Sequence, residues 1–292
     1  MNNEQFLKES HQYLDSLFEG FYDYKKEIAS LMDVFIDLCN RNQVRYFLTC
    51  GTLLGLVRDG GSIPWDYDAD VAVPIYDLDK LLNALKNDLP KDYYFESNFT
   101  HPTSQFYQIR LLKKNTNPNF VHVDVFYFIG APDNVSEAKK FSDRIKYIFR
   151  YRFYYHVFET EEYKSYSFLG KMYAKLKFKK EHGRKSKKYV DKLFNKTLKE
   201  YDYEKAANVA LFGINAEIFP KDYLEPITTM EVNKHVYNVP AKPEKFLSIL
   251  YRNYKEYLPI DNRFHEFYSV MKSYNEAQGK TAEVLFRNDG EN

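Results

Sequence analysis

Asp66-Tyr67-Asp68-Ala69-Asp70-Val71-Ala72-Val73 decides how this chain is read. Acidic and apolar residues alternate along it, as they do on a strand with one core-facing row and one open row. On such a strand Asp68 and Asp70 leave the same face. Two neighbouring carboxylates repel unless a cation or a proton lies between them. A hard divalent ion such as Mg²⁺ suits oxygen ligands of this kind and keeps room for water and substrate phosphates. Val71, Ala72 and Val73 bury the strand just beyond, so acids at its edge need compensation.

A second acidic strand lies downstream. Phe120 to Phe128 (Phe-Val-His-Val-Asp-Val-Phe-Tyr-Phe) is the most apolar strand of the chain, and Asp124 sits inside it. An ionised Asp there needs a metal, a base or a solvent opening; the alternative is a sheet-end Asp bonded to a helix N-terminus. Three carboxylates on two adjacent strands would clamp a transferring phosphoryl group. His122 shares strand parity with Asp124, so it either lines the same site or is a satisfied structural histidine.

Upstream, Arg45 to Cys50 reads as a short buried strand and Leu53 to Arg58 as a short helix. At Gly51-Thr52 between them the backbone can approach a phosphate and offer N–H groups at a helix start. Asp59-Gly60-Gly61 is a turn. Arg58 is either a fixed cation or the partner of Asp59 or Asp66. Trp65, the single Trp, would stack on a base or sugar, or anchor its loop to the core.

The first forty residues have helical character, with Ile28, Leu31, Met32, Phe35 and Cys39 on one face. Leu78, Leu81, Leu82 and Leu85 mark another helix, and Phe106 to Lys113 another strand. This order of elements predicts an α+β fold with a mixed sheet. Three parts are expected: a catalytic core with N-terminal helices over 1–135, a basic and mainly helical insertion over 136–205, and a C-terminal helical segment over 206–292. Tyr237 to Pro243 punctuates that last part, and Lys245 to Tyr257 reads as a helix with Phe246, Ile249, Leu250 and Tyr254 on one side.

Composition excludes more than it selects. A net charge of +1 over 292 residues gives no global pull towards nucleic acid, and no nucleic-acid module is recognisable. The 27 Tyr and 24 Phe read as compositional bias rather than as a record of substrate. Cys39 and Cys50 cannot build a disulfide framework. MNNEQFLKES shows no secretory pattern, and no apolar run approaches a membrane span, so a cytoplasmic location is expected. Ser167 to Lys199 holds twelve Lys or Arg against Glu181 and Asp191. It is either a solvated helical face or a surface that meets anionic lipid at the inner side of a membrane.

Tyr46-Phe-Leu-Thr-Cys-Gly-Thr-Leu-Leu-Gly-Leu-Val-Arg58, followed by Gly61-Ser-Ile-Pro-Trp-Asp-Tyr-Asp-Ala-Asp-Val71, resembles the signature of the LicD/fukutin family of the nucleotidyltransferase superfamily. His122-Val-Asp-Val-Phe126 is similar to the family's third-carboxylate strand, and Pro240 to Pro259 to its C-terminal segment. The resemblance implies a nucleotidyltransferase (DNA polymerase beta-like) fold. It implies transfer of a phosphoalcohol group, such as phosphocholine or glycerol or ribitol phosphate, from a CDP-linked donor to a hydroxyl of a glycan or lipid-linked oligosaccharide, with release of CMP. It also implies Mg²⁺ or Mn²⁺ on Asp68, Asp70 and Asp124, with Asp66 as a further ligand or an orienting group and Tyr67 where many relatives carry another Asp. Asp124 is then the carboxylate that helps remove the acceptor proton. Arg58, with Arg110 or Lys113, contacts the diphosphate. The rivals are a strict nucleotidyltransferase using a nucleoside triphosphate, and a non-catalytic glycan-binding protein on the same scaffold.

Overall fold

A computed structural model describes residue 8 and residues 21–99, 107–116, 121–183 and 185–257. Helix α1 (Phe21–Arg41) buries Tyr24, Ile28, Leu31, Met32, Phe35, Leu38 and Cys39, the helical face read from the sequence, and packs across the sheet. Strand β1 (Phe47–Leu48) is shorter than expected, because Cys50 already begins helix α2 (Cys50–Asp59) in a left-handed conformation. Strand β2 (Ala69–Pro74) and helix α3 (Leu78–Asn87) follow, then β3 (Tyr93–Glu96), β4 (Ile109–Lys113) and β5 (His122–Ala131).

Strands β1-β2-β5-β4-β3 lie in that order, with β2 and β5 parallel and the other neighbours antiparallel. The mixed sheet and the α+β class agree with the sequence. Four helices come next: α4 (Val135–Tyr155), α5 (Glu161–Ser165), α6 (Phe168–His182) and α7 (Lys187–Leu198). Phe141, Ile145, Ile148, Val190 and Phe194 from this region join the same core cluster as the strands.

The expectation of a helical C-terminal segment over 206–292 is corrected for its described residues, which end at 257. Residues past 206 supply β6 (Asn208–Leu211) and β7 (Ile218–Pro220), which extend the sheet from β5. They also supply a hairpin of β8 (Thr228–Val232) and β9 (His235–Val239). Helix α8 (Pro243–Tyr251) then packs on α2; it ends before Tyr257, and Tyr254 is buried beyond its end. Many of the aromatic residues fill this core: Phe219 stacks on Phe246 at 4.6 Å and Tyr107 on Phe194 at 4.1 Å. Among the described residues no helix is long and apolar enough to cross a membrane.

Candidate active site

The site forms where β2 and β5 run side by side next to the start of α2. Asp70 pairs with Asp124 across the parallel strands, and Asp124 pairs with Arg110 across the antiparallel β4–β5 contact. Side chains in register on neighbouring strands leave the same face, so these three form one row. Arg110 Nε donates to Asp124 Oδ1 at 3.0 Å, and Gln108 Nε2 donates to Oδ2 at 3.4 Å. Arg110 Nη2 also lies 3.1 Å from His122 Nε2. Arg110 is therefore a cation of the site. Lys113 is odd where Arg110 is even along β4, so strand parity places it on the opposite face, away from this row.

Asp68 reaches the row by a different route from the one its spacing suggests. Strand β2 begins at Ala69, and Asp66, Tyr67 and Asp68 lie in the bend before it. The backbone there is tied to α1 rather than to a neighbouring strand. Tyr24 donates its hydroxyl to the Tyr67 carbonyl, and Lys25 donates its ammonium to the carbonyls of Asp66 and Ile63. Asp68 thus meets Asp124 from the turn. One ligand atom each from Asp68, His122 and Asp124 lies within 4.8 Å of the others, a spacing suited to a metal ion. His122, which the sequence left as either lining the site or structural, thus joins the two carboxylates in this group.

Asp70 is held at the helix start: Gly51 N donates to its Oδ2 at 3.3 Å, and its own N–H donates to Thr52 Oγ1 at 2.8 Å. A Cβ at Gly51 would stand 2.8 Å from Asp66 Oδ2, so any side chain there would displace the Asp66 carboxylate. At Gly55 a Cβ would meet the Gly61 carbonyl oxygen at 2.5 Å, which explains a glycine three residues before Arg58.

The electrostatics are those of an acidic cluster short of positive charge. Burial first, then repulsion from Asp70, Asp66 and Asp124, pushes Asp68 well above the usual carboxylate range. Burial also pushes Asp70 up, helped by Asp66 and Asp124 and opposed by the Gly51 N–H. Burial raises Asp66 too, although Lys25 pulls the other way. Lys25 itself is lowered by burial, with Asp66 and Asp68 opposing the shift. Burial takes His122 down to about 4, with Asp124 opposing and Arg110 adding to the shift, so its ring is neutral at pH 7. Its buried Nδ1 finds no partner among the described residues.

Lys25 and Gln108 are the contributors that sequence reasoning missed. Lys25 stands beside Tyr24 on a helix edge, where a lysine reads as solvated, and Gln108 carries no charge to draw notice. Lys25, Asp66 and Asp68 also line a cavity of about 270 Å³, together with Asn233, His235 and Tyr237 of the β8–β9 hairpin.

Of the two readings of Arg58, the structure shows the pairing with Asp59. Its Nε and Nη2 each lie 2.8 Å from a carboxylate oxygen of Asp59, and the Tyr257 ring covers the guanidinium at 4.3 Å. Tyr257 also donates to Asp59 at 2.8 Å, and Trp65 packs edge-on against Tyr257 at 6.4 Å. These contacts make Arg58 and Trp65 part of an internal brace between α2 and the chain beyond α8.

An acidic row on a mixed sheet, next to a helix start, defines a candidate cation centre. Residues 43–173 match the family model described as LicD/FKTN/FKRP, nucleotidyltransferase domain. The chain is similar to the lipopolysaccharide cholinephosphotransferase LicD of Haemophilus influenzae, with 28% identity over 114 residues, covering 36% of this chain and 42% of that protein. The chain thus spans less than half the length of that relative.

Proposed function

We propose that this chain transfers a phosphoalcohol group, of the phosphocholine or glycerol or ribitol phosphate type, from a CDP-linked donor to a hydroxyl of a cell-surface glycan or its lipid-linked precursor. The reading includes a nucleotidyltransferase (DNA polymerase beta-like) arrangement of the sheet. The observation that carries it is the row Asp70–Asp124–Arg110 with Asp68 closing on it from the turn. The family match and the cholinephosphotransferase relative support the same reaction class.

The donor set fits a hard divalent cation. Asp68 and Asp70 lie among other buried acids that disfavour their ionisation without a counter-charge, and Asp124 and His122 close the group. Asp68, Asp70 and Asp124 would hold Mg²⁺ or Mn²⁺, which supplies charge neutralisation for the donor diphosphate. His122, neutral at pH 7, offers a fourth ligand atom or fixes Arg110.

In the reaction proposed, the acceptor oxygen attacks the phosphorus that bears the transferred alcohol, in line with the bond to CMP. The new P–O bond forms as the bond to CMP breaks, and CMP leaves with the electron pair. Asp124, oriented by Arg110 and Gln108, receives the hydroxyl proton. Arg110 offsets the negative charge of the site, and the start of α2 presents its dipole to the donor. Lys25 holds the Ile63–Asp66 turn that delivers Asp68.

Incubation with CDP-choline, CDP-glycerol, CDP-ribitol and nucleoside triphosphates in Mg²⁺ tests the reading by product. CMP release from one of the CDP-linked donors, dependent on acceptor glycan, is the expected result. Pyrophosphate release without CMP would instead identify a strict nucleotidyltransferase, and the proposal would fall.

A further inference from the structure

We propose that α6 is an interfacial helix that lays its apolar face on an anionic phospholipid membrane. The inference goes beyond the transferase reading and does not depend on it. Phe168, Leu169, Met172, Tyr173 and Leu176 are 81%, 68%, 47%, 69% and 59% exposed. At 3.6 residues per turn they fall within an arc of about 140° on one side of the helix. On the opposite side Phe178 is buried and packs edge-on against Tyr151 and Phe158, with ring centroids 5.2 and 5.1 Å away. The helix is therefore anchored by one face and presents the other outward.

Stability does not account for five large apolar side chains in water, since burying them would be favourable by the usual area rule. An exposed apolar stripe of this size marks a surface that meets something apolar. Charge selects the partner. Lys175 and Lys177 flank the stripe on its two edges, and Lys179 and Lys180 lie at its C-terminal end, all of them exposed. The surrounding stretch holds twelve cations against two acids, although the whole chain carries only +1. An apolar stripe edged by lysines is the pattern that seats a helix at the headgroup boundary of an anionic bilayer. A second copy of this chain would bring the same lysines together and repel.

Flotation of the full chain with vesicles of phosphatidylcholine containing about 30 mol% phosphatidylglycerol tests the proposal at low salt. The wild type is expected to float with these vesicles and to bind pure phosphatidylcholine far less. The double variant F168E/L176E, altered only at exposed positions, is expected to lose about tenfold or more of its binding while keeping its thermal melting curve. A separate Phe168→Trp variant, read against the wild type whose emission comes from Trp65 alone, is expected to show a blue shift when the anionic vesicles are added. The proposal is overturned by a wild type that stays unbound, by a double variant that binds equally well, or by emission from the Phe168→Trp variant that does not move. It is equally overturned if the protein is a dimer in solution that F168E/L176E dissociates.

Discussion

Asp70 and Asp124 face each other across the parallel β2–β5 pair, one from each strand, with Arg110 completing the row on β4. Parallel pairing fixes the two carboxylates side by side, and β1 and β4 hold the strands in register on either side. The backbone itself brings the acids together, and a side-chain rotation cannot fully separate them.

Close acids that resist ionisation destabilise the protein without a cation and bind one when it is present. Asp70→Asn is therefore expected to raise the Tm in EDTA at neutral pH by about 2–4 °C, because it removes one member of a repelling group. Mg²⁺ or Mn²⁺ should raise the Tm of the wild type and leave that of Asp70→Asn nearly unchanged. CMP release should fall by about a hundredfold or more in both Asp70→Asn and Asp124→Asn. Thermal melts with and without metal check the first two outcomes. Equal metal stabilisation of the wild type and Asp70→Asn would remove Asp70 from the cation site.

Arg58 gives a prediction that separates structure from substrate contact. The Asp59 side chain is fully buried and its ion partner is Arg58. Arg58→Ala leaves that charge to the Tyr257 hydroxyl, which is expected to cost about 3–5 kcal/mol of stability. Urea denaturation measures it. An Arg58→Ala protein of normal stability that has lost only donor affinity would restore the diphosphate role read from the sequence.

Two glycines on α2 are expected to fail in different ways. At Gly55 the obstruction is backbone, the Gly61 carbonyl and the Ile63 N–H, so Gly55→Ala should cost about 1–3 kcal/mol. At Gly51 the obstruction is the end of the Asp66 side chain, which can swing aside. Gly51→Ala should therefore melt close to the wild type while losing most of its metal affinity and activity, because the displaced Asp66 disturbs the turn that positions Asp68. Calorimetric Mn²⁺ titration beside thermal melting tells the two outcomes apart.

What the sequence made legible was the part governed by strand period and helix period. The burial of Ile28 through Cys39 on α1 and the shared parity of Asp124 and His122 follow from those periods alone. Asp68 did not, because its place is set by Tyr24 and Lys25 bonding to the carbonyls of Tyr67 and Asp66, contacts with a distant helix that local alternation cannot register. The choice between Arg110 and Lys113, left open by the sequence, falls to Arg110 because residues three apart on one strand point to opposite faces and Arg110 pairs with Asp124. Strands β6 and β7 owe their conformation to pairing along β5 rather than to a pattern of their own, and Asn208-Val-Ala-Leu211 carries no alternation to read.

The Arg45–Asp77 pair should govern the acid limb of stability, away from the candidate site. Asp77 is buried at the head of α3, where it accepts from Arg45 N at 2.9 Å, Arg45 Nε at 2.8 Å and Lys80 Nζ at 3.2 Å. Burial alone would push its carboxyl up, but the Arg45 bonds and charge, with help from Lys80, outweigh burial and hold it below the usual range. A carboxyl whose pKa is depressed on folding contributes stability that is fully present above its unfolded value of about 3.9. That contribution disappears as the pH falls through the lower, folded value. Asp77→Asn is therefore expected to cost about 1–2 kcal/mol at pH 7 and progressively less as the pH falls from about 4 towards 3. Urea denaturation of both proteins across that range measures the gap. If the gap stays constant with pH, the ionised form of Asp77 is not what the Arg45 contacts stabilise.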